Sequence, residues 1–256
     1  MESRPAVEPE LKRPLWIIGA EDYNLGMTVA KVASDDWYYR AIYTTDEQTG
    51  DVTSQEGLIK FLREAREYSP ETGIDIAYCA GLNMLDAIED VDEINLWSTF
   101  NVNVLGFIRL MKAIIQVYYR EPYPLTLPTL TPQITTNVVA VASDAARVAM
   151  RRSITYCASK AALVQAVRVA ARECAPYIRV NAVSPGIIEG TPMTTSIDAE
   201  VRVQRRWTEE QHLDYERSQI PMQRRATKFE VADLIIQTLL GPAYLTGSNI
   251  EITGGK

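Results

Sequence analysis

At 256 residues and 46% hydrophobic content, the chain is long enough to bury one sizeable α/β core. A net charge of −7 and a pI near 5.0 leave no basic face to track phosphates, which argues against a nucleic-acid partner. No apolar run reaches the roughly 18 residues of a membrane helix, residues 1–13 read as a polar lead-in without a signal core, and three cysteines in no metal-ligand spacing point to a reducing cytosol.

Residues 15–20 (LWIIGA) form a short, continuously apolar run, the pattern of a strand buried on both faces. The run opens into a turn from Gly19 to Gly26 and then a helix from Met27. A strand, a glycine-bearing turn and a helix N-terminus offer backbone N–H groups and a dipole to a pyrophosphate. Asn24 and Leu25 complete that turn, and asparagine tolerates left-handed backbone angles better than other non-glycine residues. A second strand, 38–45, ends near Asp46, an acidic side chain that either hydrogen-bonds a ribose or merely opens a polar turn.

Thr53 or Ser54 can cap a helix running to about residue 68. The next strand, 74–81, ends on Cys79, Ala80 and Gly81. The small pair lets backbone lie close to a ligand, and Cys79 reads as a buried, inert thiol. Residues 96–119 read as one long helix, apolar on most sides and carrying Asn103, Arg109 and Lys112. Residues 120–134 hold four prolines and are neither helix nor central strand. They form an Ω-like flap, a subunit contact or a solvated loop.

The chemistry concentrates in residues 143–160 (SDAARVAMRRSITYCASK). Ser143 ends an apolar strand, and Tyr156 and Lys160 stand i, i+4 on one helical face. An ammonium beside a phenol favours the phenolate and lowers its pKa, so Tyr156 can pass a proton to or from an alcohol or carbonyl oxygen. Ser143 can hold that same oxygen. The helix after Tyr156 is alanine-rich, a surface on which a second helix can approach closely. A strand at 178–186 stops at Pro185-Gly186, and residues 192–222 are charged and contain one or two short helices. Arg202, Arg205 and Arg206 there either clamp a carboxylate or decorate an exposed helix. The one histidine, His212, reads as a surface residue.

Ser143 thirteen positions before Tyr156, Tyr156-x-x-x-Lys160, Asn103 in NVLG, Ala80-Gly81, and the run from Ile178 through Thr191 together resemble the short-chain dehydrogenase/reductase family, in its form of about 250 residues. The resemblance runs from about Trp16 to Gly255. It implies a single Rossmann-like domain over 14–256, a doubly wound parallel sheet of about seven strands, with 192–222 closing over the substrate. It also implies hydride transfer between a nicotinamide cofactor and a carbonyl or secondary alcohol, with Asn103, Ser143, Tyr156 and Lys160 catalytic.

For the cofactor, the resemblance implies contacts from Gly19, Asn24, Leu25, Gly26, Asp46, Asp51, Val52, Ala80, Gly81, Tyr156, Lys160, Pro185, Gly186, Ile188 and Thr191. The chain departs from the family's glycine turn by one extra residue and by Asn24 in place of the middle glycine. Glu21, Asp22 and Asp46 favour NAD, with NADP the alternative. The resemblance also implies a homodimer or homotetramer acting on a small-molecule substrate. Two alternatives share the pattern: a dihydrodiol-type dehydrogenase using the same four residues, and a non-catalytic binding protein that kept the fold.

Overall fold

The computed structural model describes residues 13–20, 24–35, 39–43, 51–68, 74–119 and 136–256. Glu21, Asp22, Asp46 and the proline-rich 120–134 segment lie outside the described residues. The described strands are β1 (Arg13–Ile18), β2 (Tyr39–Tyr43), β3 (Asp75–Tyr78), β4 (Thr136–Val141), β5 (Ile178–Pro185) and β6 (Asn249–Ile252). They form one parallel sheet in the order β2-β1-β3-β4-β5-β6.

Six described strands stand where about seven were expected. At Asp51–Ser54 the chain makes a turn, with Ser54 N–H donating to the Asp51 carbonyl at 3.0 Å, and passes directly into a helix. Ser54, not Thr53, caps that helix, α2 (Gln55–Tyr68), its Oγ accepting from Gly57 N–H at 3.0 Å.

Because successive strand residues face opposite ways, each buried strand feeds two cores. Trp16, Ile18, Ile76, Tyr78, Val138 and Ala140 pack on α2, α4 (Gly106–Tyr119) and α5 (Ile154–Cys174). Leu15, Ile17, Ala77, Val139 and Val183 pack on α1 (Leu25–Asp35) and α8 (Lys228–Leu239) on the other face. This is the doubly wound arrangement, and its strand order reverses between β1 and β3. Ligands bind such sheets in the crevice at that reversal, beyond the carboxyl ends of the strands.

The long helix expected over 96–119 begins earlier and is interrupted. It runs as α3 (Glu93–Phe100), a π-helical turn (Asn101–Leu105) and α4. The 27-residue Glu93–Tyr119 segment contains an 18-residue window of mean hydropathy 1.3, long and apolar enough by length and composition to cross a membrane. Half of its most apolar window is buried, with Phe107, Leu110, Met111 and Ile114 facing the sheet. The charged segment 192–222 resolves into two helices, α6 (Pro192–Arg205) and α7 (Glu209–Gln219).

Candidate active site

Four strand ends meet at one edge of the sheet: Gly19 after β1, Ala80-Gly81 after β3, Ser143 after β4 and Pro185-Gly186 at β5. Gly19 has φ +84°, and a Cβ there would lie 2.6 Å from the Ala80 nitrogen. The two strand ends therefore touch backbone to backbone, as only glycine allows. Gly26 packs against the Gly19 carbonyl from the first turn of α1, next to the buried Leu25.

Asn24 holds this turn together. Its Nδ2 donates to the Gly19 carbonyl at 2.9 Å, and its Oδ1 accepts from Met27 N–H at 3.0 Å. The asparagine thus caps α1, satisfying one of the N–H groups that a helix start leaves open. Gly19 and Gly26 keep bare backbone beside the N-terminus of α1, which a pyrophosphate needs, so these described residues fit a dinucleotide. Behind it, a Cβ at Gly81 would sit 3.3 Å from Lys160 Nζ and 3.6 Å from Asn103 Oδ1, which brings the β3 end against the proposed catalytic set.

Asn103 is fully buried inside the π-helical turn. Its Oδ1 accepts from Leu82 N–H at 2.7 Å, and its Nδ2 donates to the Leu82 carbonyl at 2.9 Å and to Ser159 Oγ at 2.9 Å. One side chain therefore fastens the loop after β3 to α5 at Ser159, which lies between Tyr156 and Lys160 on their helix. A π-turn releases a backbone carbonyl from its usual partner. Here Tyr78 Oη donates to the Val102 carbonyl at 2.6 Å, an anchor no sequence pattern signalled.

Ser143, Tyr156 and Lys160 are all buried, and the Ser143 hydroxyl acts on the Tyr156 phenol. Lys160 Nζ lies 5.6 Å from the centre of the Tyr156 ring and donates to the Val141 carbonyl at 2.8 Å. The structure corrects the expectation of a phenol made acidic by its lysine. Burial pushes Tyr156 up to about 12; the Ser143 hydroxyl opposes this, while Asp144 and Cys157 add to it. Burial also draws Lys160 down to about 8, with Cys79 acting in the other direction. Cys79 itself is pushed up to about 12 by burial, which keeps it a thiol and agrees with its reading as inert.

The remaining positions are placed as follows. Asp51 Oδ1 accepts from Thr53 N–H and Oγ1, both at 2.8 Å, and Val52 is buried, its carbonyl accepting from Arg109 at 3.3 Å. Ile188 bridges to Ala226, and its carbonyl accepts from Thr194 Oγ1 at 2.7 Å. Thr191 caps α6, accepting from Thr194 N–H at 3.1 Å. Ile188 and Thr191 thus form the root of the 192–222 segment.

His212 corrects its surface reading: it is 4% exposed, with Nε2 3.0 Å from Asp198 and 3.3 Å from Glu216. These three side chains have the proximity of a metal-ligand set, but Arg225 is paired with both carboxylates, making an ion-pair cluster that ties α6 to α7. Arg202 pairs with Glu209, and Arg205 stacks over Trp207 and Tyr215, so both dress an exposed surface.

The family model described as enoyl-(acyl carrier protein) reductase, of the short-chain dehydrogenase type, matches residues 42–256. An NAD-dependent glycerol dehydrogenase of Listeria innocua is 34% identical over 142 residues, 54% of this chain and 50% of that protein. The chain thus matches only half the length of that relative. Isoepoxydon dehydrogenase of Penicillium expansum is 27% identical over 238 residues, 89% of this chain and 82% of that protein. The structure of aldohexose dehydrogenase from Thermoplasma acidophilum has the same fold, at a TM-score of 0.77 and 20% identity over 95% of this chain and 94% of that one. Other similar structures hold NADP or NADPH.

Proposed function

The chain belongs to the short-chain dehydrogenase/reductase family of oxidoreductases, and from that premise we propose that it transfers hydride between a nicotinamide cofactor and a small carbonyl or secondary-alcohol substrate, with Tyr156 handling the proton. One observation carries this reading: Ser143, Tyr156 and Lys160 converge, buried, beside the bare Gly81 backbone at the crevice where the strand order reverses.

When bound, the nicotinamide supplies or takes up the hydride. The chain does the rest. Gly19, Asn24, Leu25 and Gly26 present the α1 terminus to the pyrophosphate, Ala80-Gly81 and Pro185-Gly186 leave room for backbone contact, and Lys160 holds the ribose. Asp51, Val52, Ile188 and Thr191 are proposed cofactor contacts at the margins of the same crevice. Ser143 orients the substrate oxygen. A phenol held protonated at neutral pH is ready to give a proton to that oxygen, which supports the carbonyl-reducing direction. NAD is the proposed cofactor, supported by the NAD-dependent relative, and NADP is the alternative. Three unpaired thiols support a reducing compartment.

The second reading is a binding protein without turnover. It draws on Asn24, whose amide already occupies the Met27 N–H at the start of α1. Fluorescence titration with NADH separates the two. Saturable binding below millimolar is expected, tightening in Asn24→Gly, which uncovers that N–H and also gives up the bond to the Gly19 carbonyl, at a stability cost of about 1 kcal/mol. No binding at millimolar NADH would leave only the second reading.

Ile94, Trp97, Leu105 and Ile108 are exposed along α3 and α4, by 73%, 67%, 38% and 47%. Such an apolar row supports a homodimer or homotetramer closed through the long helix. Light scattering at micromolar concentration is expected to give twice or four times the chain mass, and a monomer would overturn the assembly.

A further inference from the structure

Ser143 has a single hydroxyl proton, and the structure shows where it goes. Ser143 Oγ donates to Asp144 Oδ1 at 3.2 Å, while the same oxygen accepts from Ala145 N–H at 3.2 Å. Polarising a substrate oxygen requires that proton, so Asp144 competes with the substrate for it. Asp144 is 2% exposed, and it lies against Gly186, where a Cβ would come within 3.8 Å of its Oδ2. A lone buried carboxylate would hold the hydroxyl by a charge-assisted bond, roughly twice as strong as a neutral one.

The carboxylate is not alone. Lys256 Nζ stands 3.2 Å from Asp144 Oδ2, as a charge contact rather than an aligned hydrogen bond, with the Lys256 side chain 23% exposed. The segment bearing Lys256 is latched to the same loop. Arg147 donates to both Glu251 carboxylate oxygens, at 3.1 and 3.0 Å, and to the Lys256 carbonyl at 3.0 Å.

We propose that Lys256 is a positioning residue for the hydride-transfer reaction: by neutralising Asp144 it frees the Ser143 proton for the substrate oxygen and shields Tyr156 from the carboxylate's charge. The inference rests on the proposed oxidoreductase function. The groups facing Tyr156 are Ser143 and Asp144 from the loop after β4, and Cys157 and Lys160 from its own helix, with Cys79 behind Lys160. Of these, Asp144 is the one that Lys256 controls. Arg147, the other cation near Asp144, is committed to Glu251.

Lys256→Met leaves the core untouched and provides the test. In alcohol oxidation, where Tyr156 must lose its proton, the rising limb of the pH–kcat profile is expected to move about one unit alkaline, a tenfold loss at fixed pH on that limb. Lys256→Arg is expected to restore the profile, and Asp144→Asn combined with Lys256→Met to return the limb toward its original position. A purely structural role would lower rates evenly across pH, with no recovery on removing the Asp144 charge; that result, or an unchanged profile, overturns the proposal. Failure of the oxidoreductase reading shows separately, as absence of NADH binding and turnover in the unmutated protein. In that case the same coupling is read by 13C NMR of tyrosine-labelled protein, assigned with Tyr156→Phe. The onset of Tyr156 ionisation is expected to retreat to higher pH in Lys256→Met, and an unmoved onset overturns the charge coupling itself.

Discussion

Tyr156→Phe is expected to lower turnover at least ~10²-fold with the fold intact. The variant loses one hydroxyl and leaves the ring in place, so the stability change should stay near ~1 kcal/mol. The proton donor disappears while the substrate's other contacts remain, so kcat and kcat/KM should fall together. The pH profile provides a second check. Tyr156 is pushed up to about 12, so in the protein with its tyrosine, alcohol oxidation should climb steadily from pH 7 to 10 as the phenolate fraction grows. Carbonyl reduction, which uses the protonated phenol, should not gain over that range. Whatever activity Tyr156→Phe retains should lose the oxidative slope. Steady-state kinetics in both directions measure this, and near-normal turnover would remove Tyr156 from the mechanism.

Gly19→Ala should be the most damaging single-methyl change at the cofactor crevice. The position has φ +84°, where a side chain is strained, and the new Cβ would stand 2.6 Å from the Ala80 nitrogen and 2.7 Å from its Cα. Both neighbours are backbone, so no rotamer change relieves the contact, and β1 and β3 must part. Strain plus overpacking should cost about 3 kcal/mol, or roughly 6–12 °C in melting temperature for a domain of this size. NADH affinity should fall with it, because the turn and the Ala80-Gly81 backbone form one surface. Thermal melts and NADH titration read the two effects, and an alanine variant with unchanged melting and binding would contradict the packing described above.

Much of the fold was legible because it depends on local pattern. Residues 15–18 are a continuous apolar run, and only a strand covered on both faces uses residues that way, whereas the buried strands at 74–78 and 178–183 carry Asp75, Arg179 and Asn181 and were marked by their flanking glycine and proline. Glycine at 19 and 26 marked the β1–α1 turn, and the spacing of Ser143, Tyr156 and Lys160 marked the buried cluster proposed as the reaction centre. Among the described residues six strands form the sheet, and Asp51–Ser54 turns directly into α2. The π-helical turn at Asn101–Leu105 was hidden: nothing in the apolar periodicity of residues 96–119 distinguishes it from plain helix.

Composition, periodicity and motif spacing determined the parallel α/β class, the turn that can cradle a pyrophosphate and the identity of the residues at the centre, because each of these is written in neighbours along the chain. Tertiary structure alone decided the charge state at that centre and who touches whom across it. Burial, opposed by Ser143, set the Tyr156 phenol. The fold brought Lys256 to Asp144 across 112 positions and enclosed His212 between Asp198 and Glu216. Desolvation and long-range pairing depend on what the finished packing excludes from water, and no stretch of sequence read by itself carries that information.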